Sequence, residues 1–194
     1  MKYSYLTEKA IFLEKKMQTE KGPIPYVLDK ENASILDKYI KMSFAARTPG
    51  GEKKRSRINM LLQSIKDESW QVVNYICESK WGALASVWSS FDDEDTEKSV
   101  LPIHLACQKR GLTEEALKRL IDAYPAGMKT ADKRKGRLPL HLACRYGASY
   151  DIIAILTIQY NVALYKMDKK GFLPINYAKK YCDDEVVDFL LDAM

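Results

Sequence analysis

The 194-residue sequence has only two histidines, His104 and His141, and four cysteines, Cys77, Cys107, Cys144 and Cys182. With no imidazole outside one recurring motif, no general base stands out, and no Gly-rich phosphate loop is present. No enzyme and no cofactor are therefore expected. The cysteines do not form a disulfide framework. Cys107 and Cys144 recur at one position of successive units and read as small apolar fillers in a reducing compartment. No apolar run approaches membrane-spanning length, so no membrane insertion is expected. Residues 1–9 lack the apolar core of a secretory signal, and Glu8, Glu14 and Glu20 argue against a transit peptide. The expected address is intracellular, cytoplasmic or nuclear. The net charge of +5 is spread as +5 over 1–68, −4 over 69–100, +4 over 101–136 and zero over 137–194. So weak an excess does not mark a dedicated nucleic-acid binder.

What is present is a repeat. Leu101-Pro102-Ile103-His104-Leu105-Ala106-Cys107 returns as Leu138-Pro139-Leu140-His141-Leu142-Ala143-Cys144, and again as Leu173-Pro174-Ile175-Asn176-Tyr177-Ala178. His104 and His141 are 37 residues apart, and His141 and Asn176 are 35 apart. A period of that size means stacked supersecondary units. Each proline suits the first position of a helix, where a missing N–H costs nothing. The alanines let neighbouring helices approach, and Gly111 and Gly147 are expected to end the short helices in a left-handed turn. A second helix follows in each unit, with apolar stripes at Ala116, Leu117, Leu120, Ile121 and at Ile152, Ile153, Ile155, Leu156. Tyr124 and Tyr160 end these helices in phase, and charged turns follow at 132–136 and 168–171.

The three copies resemble ankyrin repeats, whose first helix opens on Thr-Pro-Leu-His-x-Ala. The resemblance covers roughly residues 101–194 and implies an all-α solenoid of antiparallel helix pairs. Several residues depart from that pattern. Leu101, Leu138 and Leu173 stand in place of the capping Thr, Asn176 replaces the motif His, and Cys182 falls where the turn Gly is expected.

Further units are fainter. From Ile58 the chain overlays Leu138 onward without a gap, which sets Val72, Val73, Tyr75 and Ile76 on the second-helix stripe and Ala83-Leu84 on Ala163-Leu164. A degenerate repeat is expected over 55–100, full repeats over 101–136 and 137–171, and a short capping unit over 172–194. In that last unit Val186, Val187, Leu190 and Leu191 face inward, while Asp184, Asp188 and Asp192 line a polar face. Residues 1–54 lie outside the pattern. Two helices are expected there, one on Leu6, Ala10, Leu13 and Met17 and one on Ile35, Leu36, Tyr39, Ile40 and Phe44. They read as an N-terminal cap over the stack, with a separate docking arm as the alternative. The basic run at 53–57 and the acidic run at 92–95 read as solvated loops.

His104 with Cys107 and His141 with Cys144 have a spacing that can serve zinc, but the motif His of the resembled family is structural, and no metal is expected. The resemblance implies a non-catalytic protein–protein interaction module: a scaffold, adaptor or accessory subunit. Its partner-binding residues, carried onto this chain, are Gln108, Lys109, Arg145, Tyr146 and Lys180 on the inner helices. On the turns they are Lys133, Arg134, Lys135, Arg137, Lys169, Lys170 and Phe172. Tyr146 and Tyr181 read equally as contact residues and as packing residues. The two turns are expected side by side, forming a positive edge for a partner with an acidic surface. The alternative is RNA or another polyanion, bound through the stacked basic turns.

Overall fold

The computed structural model describes residues 28–45, 60–79, 81–87 and 100–194. The helix expected over 6–17, the basic run at 53–57 and the acidic run at 92–95 lie outside the described residues. Within them the chain is helical, with no β-strand. Helix α1 spans Lys30–Ala45. Three helix pairs follow, each closed by a 3-10 turn: α2 (Met60–Lys66) with α3 (Trp70–Glu78), α4 (Pro102–Ala106) with α5 (Glu114–Ala123), and α6 (Pro139–Tyr146) with α7 (Tyr150–Gln159). The fourth pair is α8 (Pro174–Tyr181) with α9 (Asp184–Asp192). First helices stack on first helices, α2 on α4, α4 on α6 and α6 on α8; second helices stack likewise from α3 to α9. The fold is the expected all-α solenoid. Its core is one continuous sheet of side chains running from Leu36 to Leu190.

The short helices form despite their missing Thr hydroxyls. Leu101, Leu138 and Leu173 are extended at the N-cap, and proline takes the first helical position in each case. The cap comes from the third helical residue instead. His104 Nδ1 accepts from the Leu101 amide at 3.2 Å, His141 Nδ1 from Leu138 at 3.2 Å, and Asn176 Oδ1 from Leu173 at 2.8 Å. Since Nδ1 accepts, the proton is on Nε2, which donates to Thr130 O at 2.8 Å and Phe172 O at 3.2 Å. His104 thereby ties its helix start to the strap leading into the next turn, and His141 ties its own to the end of the turn at 168–172. Asn176 is exposed and reaches only the cap.

Four expectations are corrected. Gly111 is not left-handed; among the described residues the glycines at positive φ are Gly136, Gly147 and Gly171. Gly147 closes α6, and a Cβ there would come within 2.8 Å of Tyr181 O as well as straining the backbone. Ile155 is only half-buried, and Thr157 is buried in its stead at 3% exposure. The stripe of α7 is Ile152, Ile153, Leu156, Thr157, in phase with Ala116, Leu117, Leu120, Ile121, so Ile155 sits at its margin. Leu191 is 48% exposed, because no further described helix covers its side of α9. Finally, the gapless overlay holds at the start of α3 but slips by one residue on either side of it: Ser69 N to Ser64 O is the counterpart of Ala148 N to Ala143 O, and Val87 N to Leu84 O that of Lys166 N to Ala163 O.

The first pair shares the architecture without the Pro-Leu-His frame. Its connecting turn repeats the closure of α6, with Ser69 N to Ser64 O matching Ala148 N to Ala143 O. Glu68 occupies the left-handed position (φ 56°) where α6 has Gly147. Helix α1 packs on α2 and α3 through Leu36 and Tyr39, and Tyr39 donates to Asp67 at 2.6 Å.

Candidate functional site

The turn at 132–137 is a closed loop. Asp132 N donates to Arg137 O, Gly136 N to Asp132 O, and Lys135 N to Asp132 Oδ1 at 2.5 Å. The turn at 168–172 repeats this. Asp168 N donates to Phe172 O, and Asp168 Oδ1 accepts from the Lys170 and Phe172 amides at 2.8 and 3.1 Å. The turns lie side by side, joined by Lys169 N to Lys135 O at 2.9 Å and Lys169 Nζ to Lys133 O at 2.6 Å. Both aspartates face inward, at 8% and 5% exposure, so the two carboxylates within these turns are withdrawn from the surface.

A buried triad locks the second turn to the first. Arg137 Nε donates to Asp168 Oδ2 at 3.2 Å, Tyr177 OH donates to the same oxygen at 2.7 Å, and an Arg137 Nη donates to Tyr177 OH at 2.8 Å. Burial alone would raise the Asp168 pKa. The hydrogen bonds from Tyr177, the Phe172 and Lys170 amides and Arg137 outweigh it and bring the carboxyl to about 2. The guanidinium also lies 4.9 Å from the Tyr177 ring centroid. Arg137, expected among the contact residues, is thus 3% exposed. It follows left-handed Gly136, which turns the chain inward, and its charge is spent on holding the two turns together.

The other expected residues fall into two groups. Lys133, Arg134, Lys169, Lys170 and Phe172 are exposed on the paired turns, and Lys135 is half-buried between them. Arg145, Tyr146 and Lys180 lie on the inner helices next to this edge. Arg145 sits near Tyr146, Tyr177 and Tyr181, and Lys180 lies over Tyr181 at 5.2 Å. Lys109 does not join them, and Gln108 before it is half-buried just past α4. Lys109 reaches back to the first pair, bonding Lys66 O at 2.9 Å and Glu68 at 3.4 Å. Tyr177 and Asp168 are members of the site that sequence reasoning did not assign to it. The in-phase aspartates at 132 and 168 were the available signal; for Tyr177 there was none.

The histidine–cysteine pairs have no ring nitrogen to spare for a metal, since both nitrogens of each imidazole are hydrogen-bonded. Burial pushes the Cys107 thiol up to about 12, and the contact with Cys182, followed by burial, raises Cys144 as well. Both stay thiols at neutral pH. Among the described residues no group of three His, Cys, Asp or Glu is placed to hold a metal ion, and no helix is long and apolar enough to cross a membrane.

Stacked helix pairs with projecting, laterally joined turns define a repeat solenoid whose turns and inner helices present one continuous surface. Residues 100–194 match the family model of ankyrin repeats, in three copies. The chain carries ankyrin repeats over residues 100–194. No curated protein matches it. Ankyrin repeats are in general protein–protein interaction modules and are typically non-catalytic.

Proposed function

We propose that this chain is a non-catalytic scaffold, adaptor or accessory subunit that binds a protein partner through the edge formed by its paired basic turns. One observation carries the reading. Lys133, Arg134, Lys169 and Lys170 project from turns whose carboxylates, Asp132 and Asp168, are buried. Clustered like charge raises self-repulsion, and an acidic partner surface relieves it. Attraction of this kind speeds encounter and weakens with salt. We further propose that α1 belongs to an N-terminal extension, residues 1–54, that covers the open side of the repeat domain 55–194.

The alternative is RNA or another polyanion on the same cations, and salt separates the two. Neutralising several phosphates gives a steep logarithmic loss of affinity with salt, whereas a protein interface with an apolar centre keeps much of its affinity. The experiment is a titration from low to high salt, run in parallel with poly-glutamate and with single-stranded RNA. Tighter and shallower binding of poly-glutamate supports the acidic-protein reading. RNA binding that is both tighter and steeper replaces it.

A further inference from the structure

Arg145 is half-buried in the last turn of α6, and its guanidinium carbon lies 5.9 Å from the Tyr146 ring centroid, 5.7 Å from Tyr177 and 5.8 Å from Tyr181. The rings attract the cation and fix its place. No carboxylate pairs with it among the described residues. The contrast is Arg137, which shares the Tyr177 ring but is neutralised by Asp168 at 3.2 Å. One tyrosine thus carries one neutralised and one open guanidinium.

Tyr177 links Arg145 to the paired turns: its ring lies beside Arg145, and its hydroxyl bonds Asp168, whose Oδ1 accepts from the Lys170 amide at 2.8 Å. Lys169 N bonds Lys135 O at 2.9 Å, so Lys135 and Lys170 stand on the two adjoining turns. The pKa of Lys135 is lowered by burial first, and then by repulsion from Arg137, Arg145, Arg134 and Lys170, in keeping with that neighbourhood. The carboxylates that could have answered them are committed elsewhere. Asp168 uses both oxygens on Arg137, Tyr177 and two amides, and Asp132 Oδ1 holds the Lys135 amide.

We propose that Lys135, Arg145 and Lys170 form a receptor for a phosphomonoester on a side chain of the protein partner. The inference rests on the protein-binding reading of the basic edge and names the group that the edge takes. A carboxylate brings one charge, whereas a phosphomonoester brings roughly −1.5 to −2 and three strong acceptor oxygens. That matches several neighbouring cations better. The planar fork of Arg145 suits two of the oxygens, and the ammonium groups serve as point charges. The exposed rings of Tyr146 and Tyr181 flank the receptor.

The test uses the full chain and degenerate peptide pools that share a central phosphoserine, glutamate or serine, with poly-glutamate and single-stranded RNA as further probes. The phosphoserine pool should be retained about tenfold or more over the glutamate pool, a difference of about 1.4 kcal/mol. Inorganic phosphate should compete with it. Arg145→Gln and Lys135→Gln should each abolish the preference, and Arg145→Lys should restore it only in part, since it returns the charge without the fork. Thermal melts establish that the variants are folded, and Lys135→Gln, outside any helix, serves if Arg145→Gln is not. Equal retention of the phosphoserine and glutamate pools overturns the receptor while poly-glutamate binding keeps the acidic-partner reading. Loss of poly-glutamate binding as well overturns both. Preference for RNA over every peptide pool replaces the monoester with a phosphodiester backbone.

Discussion

The first helix pair, α2 and α3, and the repeats that follow it bury the same apolar stripes but hold their turns differently. In the repeats His104 ties its helix start to the strap beyond it, His141 ties its own to the end of the turn at 168–172, and Arg137, Asp168 and Tyr177 bind two turns together. The first pair has no such frame among its described residues. Asn74 Oδ1 and Trp81 Nε1 are buried there without a hydrogen bond, as Thr157 Oγ1 alone is in the later described repeats, and Glu68 accepts a left-handed backbone that α6 gives to glycine. Yet α2 stacks on α4 as α4 stacks on α6. The difference teaches that apolar stripes suffice to stack helix pairs, while the buried polar frame positions the turns. In this protein the frame belongs to the binding edge more than to the core.

The sharpest way to break that comparison is Asp168→Ala. It leaves Arg137 buried and unpaired, and such a loss costs roughly 3–5 kcal/mol. Denaturant melts check the magnitude, and amide exchange should rise first at 132–137 and 168–172. A loss confined to the helix stack, with the turns still protected, would separate the frame from the edge.

Core truncation comes next. Leu120→Ala, at 1% exposure, should destabilise by about 2–5 kcal/mol, and Ile155→Ala, at the margin of its stripe, by clearly less. Equal losses in denaturant would mean that the phase assigned to α7 is wrong.

Acid should act on the framed repeats. The Asp168 carboxyl, at about 2 against an ordinary 3.8, contributes about 2 kcal/mol that is fully present above pH 4 and lost as the pH falls toward 2. Burial depresses the imidazoles of His104 and His141, so the unfolded chain takes up protons first and stability begins to fall below about pH 6.5. Melts at pH 7, 5 and 3 should show both stages, and Asp168→Asn should lack the lower one. The smallest effect is expected in the first pair. Asn74→Ala removes an unsatisfied buried carbonyl and should change stability by less than about 1 kcal/mol in either direction, as the same melts would record.

Much of the fold was legible because Pro-Leu-His-x-Ala fixes the start of each short helix, and the period fixes what must stack on what. The adjacency of the two turns followed from that period. Side-chain direction did not. Arg137 reads as one more basic residue in a basic turn, and only the backbone reversal at Gly136 and a tyrosine 40 residues away put it inside. The burial of Thr157 over Ile155 escaped for a related reason: α7 is apolar on nearly every side, so its sequence does not mark which face is covered. Lys109 reads as a groove residue, yet its partner is Glu68 of the first helix pair, whose sequence does not suggest the contact.

The framed basic edge, and not the first-pair end, is expected to carry the partner. The direct measurement compares protein capture from native extract by three folded forms of the chain. These are the wild type, the edge reversal Lys133→Glu, Arg134→Glu, Lys169→Glu, Lys170→Glu, and a control reversal of exposed Lys38 and Lys41 on α1 to Glu. A protein held by the wild type and by the α1 reversal should be lost from the edge reversal. Retention by the edge reversal together with loss from the α1 reversal would contradict it, and would move the contact to the N-terminal helix.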